Sequence, residues 1–347
     1  MANRDIVAIG TSAGGVEALL YLAKALPRNF PASVLVTIHL SGQFRSSLDE
    51  LLTRSGPLPA TFAGEGDPLR KGHIYLAPPG RHLIVEAEGL SLGVGPRENN
   101  VRPAIDPMLR SLALCCGTRG IGVVLTGTLG DGASGLWALS QSGGITVVQD
   151  PHDAAFPEMP MTALDRMRPD HVARLADVPR LLEALVQQPA GPAGPVPCTL
   201  KYEVQVARTG QGSMEEMDRI GRRSVLTCPD CDGVMWEIDE GDLVRYRCHI
   251  GHAYTAELMA LALDENLRRA LGSALRTIEE RVALMEKLRR QAVASRSPLV
   301  AKTWAQRASE LEEQAQVIRD TIRRMEELVE TANAEQPPAV AASQGRT

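Results

Sequence analysis

The stretch Ile6-Val7-Ala8-Ile9-Gly10-Thr11-Ser12-Ala13-Gly14-Gly15 decides how this chain begins to fold. Its apolar run predicts a buried strand over residues 5–10, and the glycines that follow permit a tight turn into a helix over residues 14–26. Gly10 to Gly14 fits G-x-S-x-G, a turn that holds a serine at a helix amino terminus. We therefore expect Ser12 to lie where backbone amides and the helix dipole stabilise negative charge.

Apolar runs alternate with helical patterns up to about residue 187, which is typical of a parallel sheet covered on both faces. Further strands are expected at residues 34–38, 73–77, 122–125 and 145–149, with a hairpin at 82–86 and 90–94. Helices are expected at residues 45–54, 105–115, 133–141 and 179–187. The predicted fold class of residues 1–187 is therefore α/β, with a doubly wound, mainly parallel sheet.

Two more polar side chains follow predicted strands. His39 comes directly after the strand Leu35-Val36-Thr37-Ile38, and Asp131 lies beyond Val123-Val124-Leu125 in a glycine-rich loop. Loops at the carboxyl ends of parallel strands share one edge of the sheet. Ser12, His39 and Asp131 together supply the nucleophile, base and orienting carboxylate of a serine hydrolase.

Two other functions compete with the hydrolase as interpretations of this sequence. Gly10 to Gly15 is similar to a dinucleotide-binding G-x-G-x-x-G loop, but Ser12 occupies the second glycine position and His39 stands where an acidic residue would bind ribose. That function is disfavoured. A signalling adaptor, which would use the hydrolase-like domain and the helical extension as a binding platform, stays open. The order Ser, His, Asp also differs from that of α/β-hydrolases, which argues against an ordinary lipase.

Six ordered motifs resemble the catalytic domain of the protein-glutamate methylesterases of bacterial chemotaxis, the CheB family. The resemblance covers residues 4–187, about half of the chain. The motifs are Gly10-Thr11-Ser12-Ala13-Gly14-Gly15, Ile38-His39, Phe44-Arg45-Ser46-Ser47-Leu48, Tyr75-Leu76-Ala77-Pro78-Pro79, Asn100-Val101-Arg102-Pro103-Ala104-Ile105-Asp106 and Leu125-Thr126-Gly127-Thr128-Leu129-Gly130-Asp131-Gly132-Ala133.

The resemblance implies that Ser12 attacks the γ-methyl ester of glutamyl side chains on chemoreceptor cytoplasmic domains. His39 would act as base and then acid, and Asp131 would orient it. Receptor glutamines would be deamidated by the same acyl chemistry, without a catalytic cofactor. Backbone amides at Ala13 and Thr128 are the expected oxyanion donors, although the family often has Thr and Met at these two positions. The family's amino-terminal receiver domain is not expected in this chain, because the first strand begins near residue 5.

Composition agrees with a cytoplasmic globular protein. The 347 residues carry a net charge of -5, which gives no reason to expect nucleic-acid binding. No apolar run reaches the roughly 18 residues of a membrane helix, so membrane insertion is not expected. Residues 1–5 lead straight into a strand and leave no room for a signal peptide, so we expect reduced cysteines.

A Cys/His module is predicted at residues 225–256. The pairs Cys228/Cys231 and Cys248/His252 have C-x2-C-x16-C-x3-H spacing, which indicates a structural zinc site in a zinc-ribbon-like module. His249 is the alternative fourth ligand, but C-x3-H reaches the metal more easily. Residues 188–224 are expected to be a Pro/Gly-rich linker. With the linker between them, loss of metal should leave esterase activity intact.

Two heptad stripes predict an α-helical hairpin or coiled coil at residues 257–333. The first stripe includes Leu271 and Met285, and the second runs from Trp304 to Val329. The hairpin could close on itself or form a homodimer, and composition does not decide between these. Residues 334–347 are expected to be a disordered tail.

Overall fold

A computed structural model describes residues 3–39, 46–192, 194, 196, 198–240 and 243–334. The chain forms two compact units, residues 1–259 and residues 260–347. Two predictions fall outside the described residues: the Phe44-Arg45 part of the third motif, and nearly all of the tail at 334–347.

The first unit is built on a seven-stranded parallel sheet with strand order β3-β4-β2-β1-β7-β8-β9. Every residue of β1 and β2 is buried, because helices cover both faces of the sheet. The strands are β1 (Ile6–Thr11), β2 (Ser33–Ile38), β3 (Ala60–Phe62), β4 (Ile74–Leu76), β7 (Gly120–Val124), β8 (Ile145–Gln149) and β9 (His171–Ala173). The predicted α/β fold class is confirmed.

Six helices and a hairpin complete this layered core. The hairpin is β5 (His82–Glu86) with β6 (Gly89–Gly93), and the helices are α1 (Gly15–Ala25), α2 (Leu48–Ser55), α3 (Ile105–Cys115), α4 (Ala133–Gln141), α5 (Glu158–Arg166) and α6 (Val178–Val186). One buried apolar cluster includes Leu19, Leu52 and Leu182, from α1, α2 and α6. The other includes residues of α3, α4 and α5. The sheet therefore has a packed layer on each face.

Most predicted elements lie within two residues of the observed bounds, and α3, α4 and β8 have the predicted ones. The sequence reading missed α5, β3 and β9. The two strands are only three residues long, which is too short for an alternating pattern to appear. Helix α5 has Pro160 at its third position, and proline ordinarily breaks a helix interior although it is tolerated in the first turn.

The predicted linker at 188–224 is wrong for residues 198–220. They form α7 (Cys198–Thr209) and α8 (Met214–Ile220). Leu200, Val204 and Ala207 have helical spacing, are buried and join the core beneath α3 and the β5–β6 hairpin. The Pro/Gly-rich composition of residues 188–197 obscured this amphipathic pattern, whose burial stabilises the helix.

The Cys/His module is a four-stranded antiparallel sheet of order β10-β11-β12-β13. Its strands are β10 (Arg222–Thr227), β11 (Val234–Glu240), β12 (Leu243–Cys248) and β13 (Ala253–Thr255). Strands β11 and β12 form the hairpin that separates the two ligand pairs. Trp236 and Ile238 of β11 pack with Val206 of α7, so the module shares a small apolar core with that helix.

Six buried charged side chains join the module to the seven-stranded sheet domain. Arg247 of β12 donates to Glu98 at 2.9 Å, and Arg245 donates to Glu203 of α7 at 2.8 Å. Arg110 of α3 also donates to Glu98. The three cations and three anions balance, and each side chain is at most 5% exposed. This buried charge network consists of Glu98, Arg110, Glu203, Glu240, Arg245 and Arg247. The module is therefore packed against the sheet domain.

The second unit contains most of α9 (Ala256–Ala294) and the whole of α10 (Pro298–Ala334). Ala308, Leu311 and Ala315 of the predicted stripe are buried, and Arg319 pairs with Glu279 across the two helices at 2.9 Å. These contacts fit the expected hairpin. Among the described residues, no helix combines the length and apolar character that crossing a membrane requires.

Candidate active site and metal-binding cluster

Ser12, His39 and Asp131 lie together at the carboxyl edge of the central sheet. They follow β1, β2 and β7, which are neighbours in the sheet. The order of the strands reverses at β1, and open α/β sheets place their functional sites at such a point. The structure thus brings together the three residues that the sequence predicted for the site.

The loop after β7 holds the turn that carries Ser12. The Ser12 N–H donates to the Thr126 carbonyl at 3.0 Å, and the Thr126 hydroxyl donates to the Ala13 carbonyl at 3.0 Å. Gly14 has φ of 72°, in the left-handed region that favours glycine. A β-carbon on Gly127 would stand 2.8 Å from that of Ser12. Glycine at 127 therefore allows the loop to pack directly on the serine.

The imidazole of His39 bridges the serine and the aspartate. Its Nδ1 is 3.0 Å from Ser12 Oγ, and its Nε2 is 2.8 Å from Asp131 Oδ2. Because an ionised carboxylate only accepts hydrogen bonds, Nε2 carries the proton and donates to Asp131. In the neutral ring Nδ1 then accepts from the Ser12 hydroxyl, as a general base must.

Asp131 is held by four donors in a site that leaves it 1% exposed. Its Oδ2 accepts from His39 and from the Ile105 N–H at 2.7 Å, and its Oδ1 accepts from the Asp106 N–H and the Asn99 side-chain amide, both at 3.1 Å. Burial opposes ionisation, but the His39 and backbone hydrogen bonds outweigh it and hold the pKa of Asp131 below its ordinary value. The carboxylate is therefore ionised when it orients His39.

A second buried carboxylate, Asp106, lies beside Asp131. Asp106 Oδ2 accepts from the Asn99 amide at 3.1 Å, and Asp106 Oδ1 accepts from the Gly135 N–H at 2.7 Å. Burial, together with the negative charge of Asp131, raises the pKa of Asp106 to about 7. Sequence reasoning missed Asn99. The available signal was an Asn-Asn pair at a turn, and both residues adopt the positive φ that asparagine tolerates.

Backbone N–H groups at Ala13 and Thr128 are available beside Ser12. Among the described residues, no hydrogen bond of the structure uses either group. Ala13 directly follows the serine, and Thr128 follows the Gly127 that packs against it. Unpaired donors next to a nucleophile are the elements of an oxyanion hole.

Cys228, Cys231, Cys248 and His252 form a second constellation, in the Cys/His module. Their ligand atoms all lie within 4.8 Å of one another. His252 Nδ1 is 3.6 Å from the Cys228 sulfur and 3.5 Å from the Cys248 sulfur. A hydrogen bond from the Cys228 thiol lowers the pKa of Cys248, and the same hydrogen bond raises the pKa of Cys228, so Cys248 is the first thiolate of the pair. This cluster is able to bind a metal ion.

His252, and not the alternative His249, belongs to the cluster. The tight turn between Cys248 and His252 closes with a hydrogen bond from the Gly251 N–H to the Cys248 carbonyl at 2.9 Å. That turn points the His252 ring back at the sulfur atoms, as the C-x3-H spacing predicts.

Comparisons with known proteins agree with the site geometry. The sequence profile described as CheB methylesterase matches residues 7–182. The chain is 36% identical over 186 residues to a protein-glutamate methylesterase/protein-glutamine glutaminase of Anaeromyxobacter dehalogenans, covering 54% of each chain. It is 32% identical to a putative enzyme of the same name from Leptospira interrogans, covering 53% of this chain and 96% of that one.

Among solved structures, the chain is similar to the catalytic domain of the Thermotoga maritima CheB methylesterase. That match has a TM-score of 0.51 and 31% identity, and it covers 54% of this chain and all of the other. The chain spans about half the length of the first curated relatives that it matches.

Proposed function

Because the chain belongs to the CheB methylesterase family, we propose that it hydrolyses the methyl esters of glutamyl side chains on the cytoplasmic domains of chemoreceptors. The observation that carries this proposal is the hydrogen-bonded chain from Ser12 Oγ through His39 to the buried Asp131. It is the arrangement that acyl transfer through a serine requires. The relatives named above support the same reaction.

The first half of the reaction forms an acyl-enzyme. Ser12 Oγ attacks the ester carbonyl while His39 Nδ1 takes the hydroxyl proton, and Asp131 stabilises the imidazolium that results. The N–H groups of Ala13 and Thr128 donate to the oxyanion of the tetrahedral intermediate. His39 then gives its proton to the leaving oxygen, and methanol departs.

The second half restores the enzyme. His39 takes a proton from water while the water oxygen attacks the acyl carbon. The bond between Ser12 Oγ and the acyl carbon then breaks, and His39 returns the proton to Oγ. The product is the free glutamate side chain. A receptor glutamine follows the same course, with ammonia as the leaving group. No metal or organic cofactor enters either step.

Release of methanol tests this proposal. Purified protein should release methanol from a methylated receptor fragment, and the fragment should gain one free carboxylate for each methanol. A glutamine-containing fragment should release ammonia at the same side-chain position. If neither product forms while the protein is folded, the adaptor function is the better account.

We propose further that Cys228, Cys231, Cys248 and His252 bind one structural zinc ion. Three thiolates and one imidazole form a closed tetrahedral set, which leaves no position for a catalytic water. The apolar core that the module shares with α7 is small, and a metal ion supplies further stability to a module of this size.

Elemental analysis should find one zinc ion per chain in protein purified without chelators. Cys231→Ser should lose most of the metal, because a hydroxyl is a poor substitute for thiolate. The matched control is Cys116→Ser, a half-buried cysteine outside the cluster, which should keep the full zinc content. Metal-free wild-type protein would contradict the assignment.

Homodimerisation through residues 257–333 stays a prediction of the sequence. Sedimentation velocity over a range of protein concentrations measures it directly.

A further inference from the structure

One loop contacts both the catalytic aspartate and the Cys/His module. The loop, residues 96–101, enters from the β5–β6 hairpin and leads into α3. Its Glu98 is 1% exposed and its Asn99 is 5% exposed. His82 lies beneath it, with Nε2 donating to the Pro96 carbonyl at 2.9 Å. The start of the loop, at Pro96, is therefore held by His82.

At the tip, the Asn99 side chain lies between two buried carboxylates. Its Nδ2 is 3.1 Å from Asp131 Oδ1 and 3.1 Å from Asp106 Oδ2. Asp131 is ionised and only accepts, and Asp106, whose pKa is raised to about 7, accepts through Oδ2 in its ionised form, so the two amide protons point one to each carboxyl group. The amide thereby screens the repulsion between Asp106 and Asp131 and holds the orientation of Asp131, which in turn holds His39.

The module holds the same loop from the other side. The Asn99 N–H donates to the Ala253 carbonyl at 2.8 Å, and Glu98 forms a parallel bridge with Ala253. The Arg247 guanidinium, 0% exposed, donates to Glu98 Oε1 at 2.9 Å and to the Gly251 carbonyl at 3.0 Å. The loop is thus fastened to β12 and β13.

The residues of the module that contact the loop are sequence neighbours of the proposed metal ligands. Arg247 precedes Cys248 and Ala253 follows His252, while Gly251 lies between the two ligands. A metal ion that fixes Cys248 and His252 therefore also fixes the backbone that Asn99 and Glu98 bind. Without the metal, this short turn loses the constraint that closes it.

We propose that the Cys/His module is a working part of the active site, in which metal binding holds Asn99, and Asn99 positions Asp131 for acyl transfer. The proposal rests on the proposed function and the proposed zinc ion. It reverses the expectation that the module can lose its metal without effect on the esterase. Asn99 is a positioning residue, because it acts through Asp131 and His39.

Asn99→Gly tests the positioning role. Glycine tolerates the φ of 52° at this position, so the substitution removes the side-chain amide with little backbone strain. The readout is the rate at which a fluorophosphonate modifies Ser12, which requires the activated serine but no receptor. The rate should fall about 10- to 100-fold, the equivalent of one hydrogen bond to a buried charged group.

The pH profile separates positioning from a general loss of structure. Removing a donor leaves the negative charge of Asp131 less neutralised, which favours the protonated form of the His39 base, so the acid limb of the modification rate should move to higher pH. Asn100→Gly is the matched control: it is the next residue, exposed, with φ of 65°. It should leave both rate and profile unchanged. An Asn99→Gly protein with wild-type rate and profile would overturn the positioning role.

Metal removal tests the coupling. Full-length protein treated with a chelator should lose zinc, gain amide hydrogen exchange at residues 98–101 and react about 10-fold or more slowly with the fluorophosphonate. Added zinc should restore all three. Cys231→Ser should behave like the chelated protein, and Cys116→Ser like wild type. Chelated protein with an unchanged rate and unchanged exchange would overturn the coupling.

The two proposals fail in different ways. If the protein reacts with the fluorophosphonate but releases no methanol from methylated receptor fragments, the proposed substrate is wrong while the positioning role is still measured. If it releases methanol at the same rate with and without zinc, the substrate assignment holds and the coupling is wrong.

Discussion

Replacing Ser12 with alanine is expected to reduce the rate of methyl-ester hydrolysis by about 10⁴-fold or more. The substitution removes the only atom that forms the acyl bond in the proposed mechanism, and removal of a serine nucleophile typically has an effect of this size. Stability should change little, because the Ser12 backbone N–H, and not its side chain, binds Thr126. Methanol release and thermal unfolding measure the two quantities.

Three further variants sharpen this result. Ser47→Ala changes an exposed serine just before α2 and should keep full activity. His39→Ala should lose nearly as much activity as Ser12→Ala, and Asp131→Asn somewhat less, because the three residues act as one unit. Turnover of Ser12→Ala within tenfold of wild type would mean that another group is the nucleophile.

Replacing Arg110 with alanine is expected to lower the free energy of unfolding of the first unit by about 3 to 5 kcal/mol. Arg110 is 1% exposed and contacts Glu98, Glu203 and the Ser134 hydroxyl. Its loss leaves the buried charge network with three carboxylates and two guanidinium groups. An uncompensated buried charge is costly because no water solvates it.

Urea denaturation in a Trp304→Phe background measures this loss, since the remaining Trp137 and Trp236 both lie in the first unit. Arg110→Met keeps most of the apolar side-chain volume. It therefore measures the effect of losing the charge without the added effect of a cavity. The control is Arg208→Ala, which breaks a pair with Glu86 that is half exposed and should change stability by less than about 1 kcal/mol. Equal effects of Arg110→Ala and Arg208→Ala would show that the network contributes no more than a surface ion pair.

The buried charge network also changes how the carboxy-terminal half is understood. Glu203 lies in a segment that composition alone assigned to a linker, yet its side chain is buried among three arginines that lower its pKa to about 2 in spite of burial. Helix α7 is therefore part of the domain that carries the active site. A truncation after residue 190 would remove this helix, whereas a truncation after Met259 keeps the first unit whole.

Local sequence patterns were sufficient to predict the residues of the site that adjoin strands and tight turns. Apolar runs located the strands, and Ser12, His39 and Asp131 each follow one of them. The C-x2-C and C-x3-H spacings predicted the two turns that carry Cys228, Cys231, Cys248 and His252, whose ligand atoms lie close together in the structure. The position of each side chain at a strand end or tight turn follows from local sequence, whereas the meeting of Ser12, His39 and Asp131, across 27 and 92 residues, depends on the order of the strands.

The contacts that connect these parts depend on tertiary packing. The contact of Asn99 with Asp131 spans 32 residues, and that of Arg247 with Glu98 spans 149. Read along the chain, Glu98, Arg110, Glu203 and Arg247 look like ordinary surface charges, since such side chains are almost never buried without partners. The partners come from different elements, and pairing depends on how those elements pack. Composition and periodicity do not predict that packing, so the contacts between the module and the active site could be identified only from the three-dimensional structure.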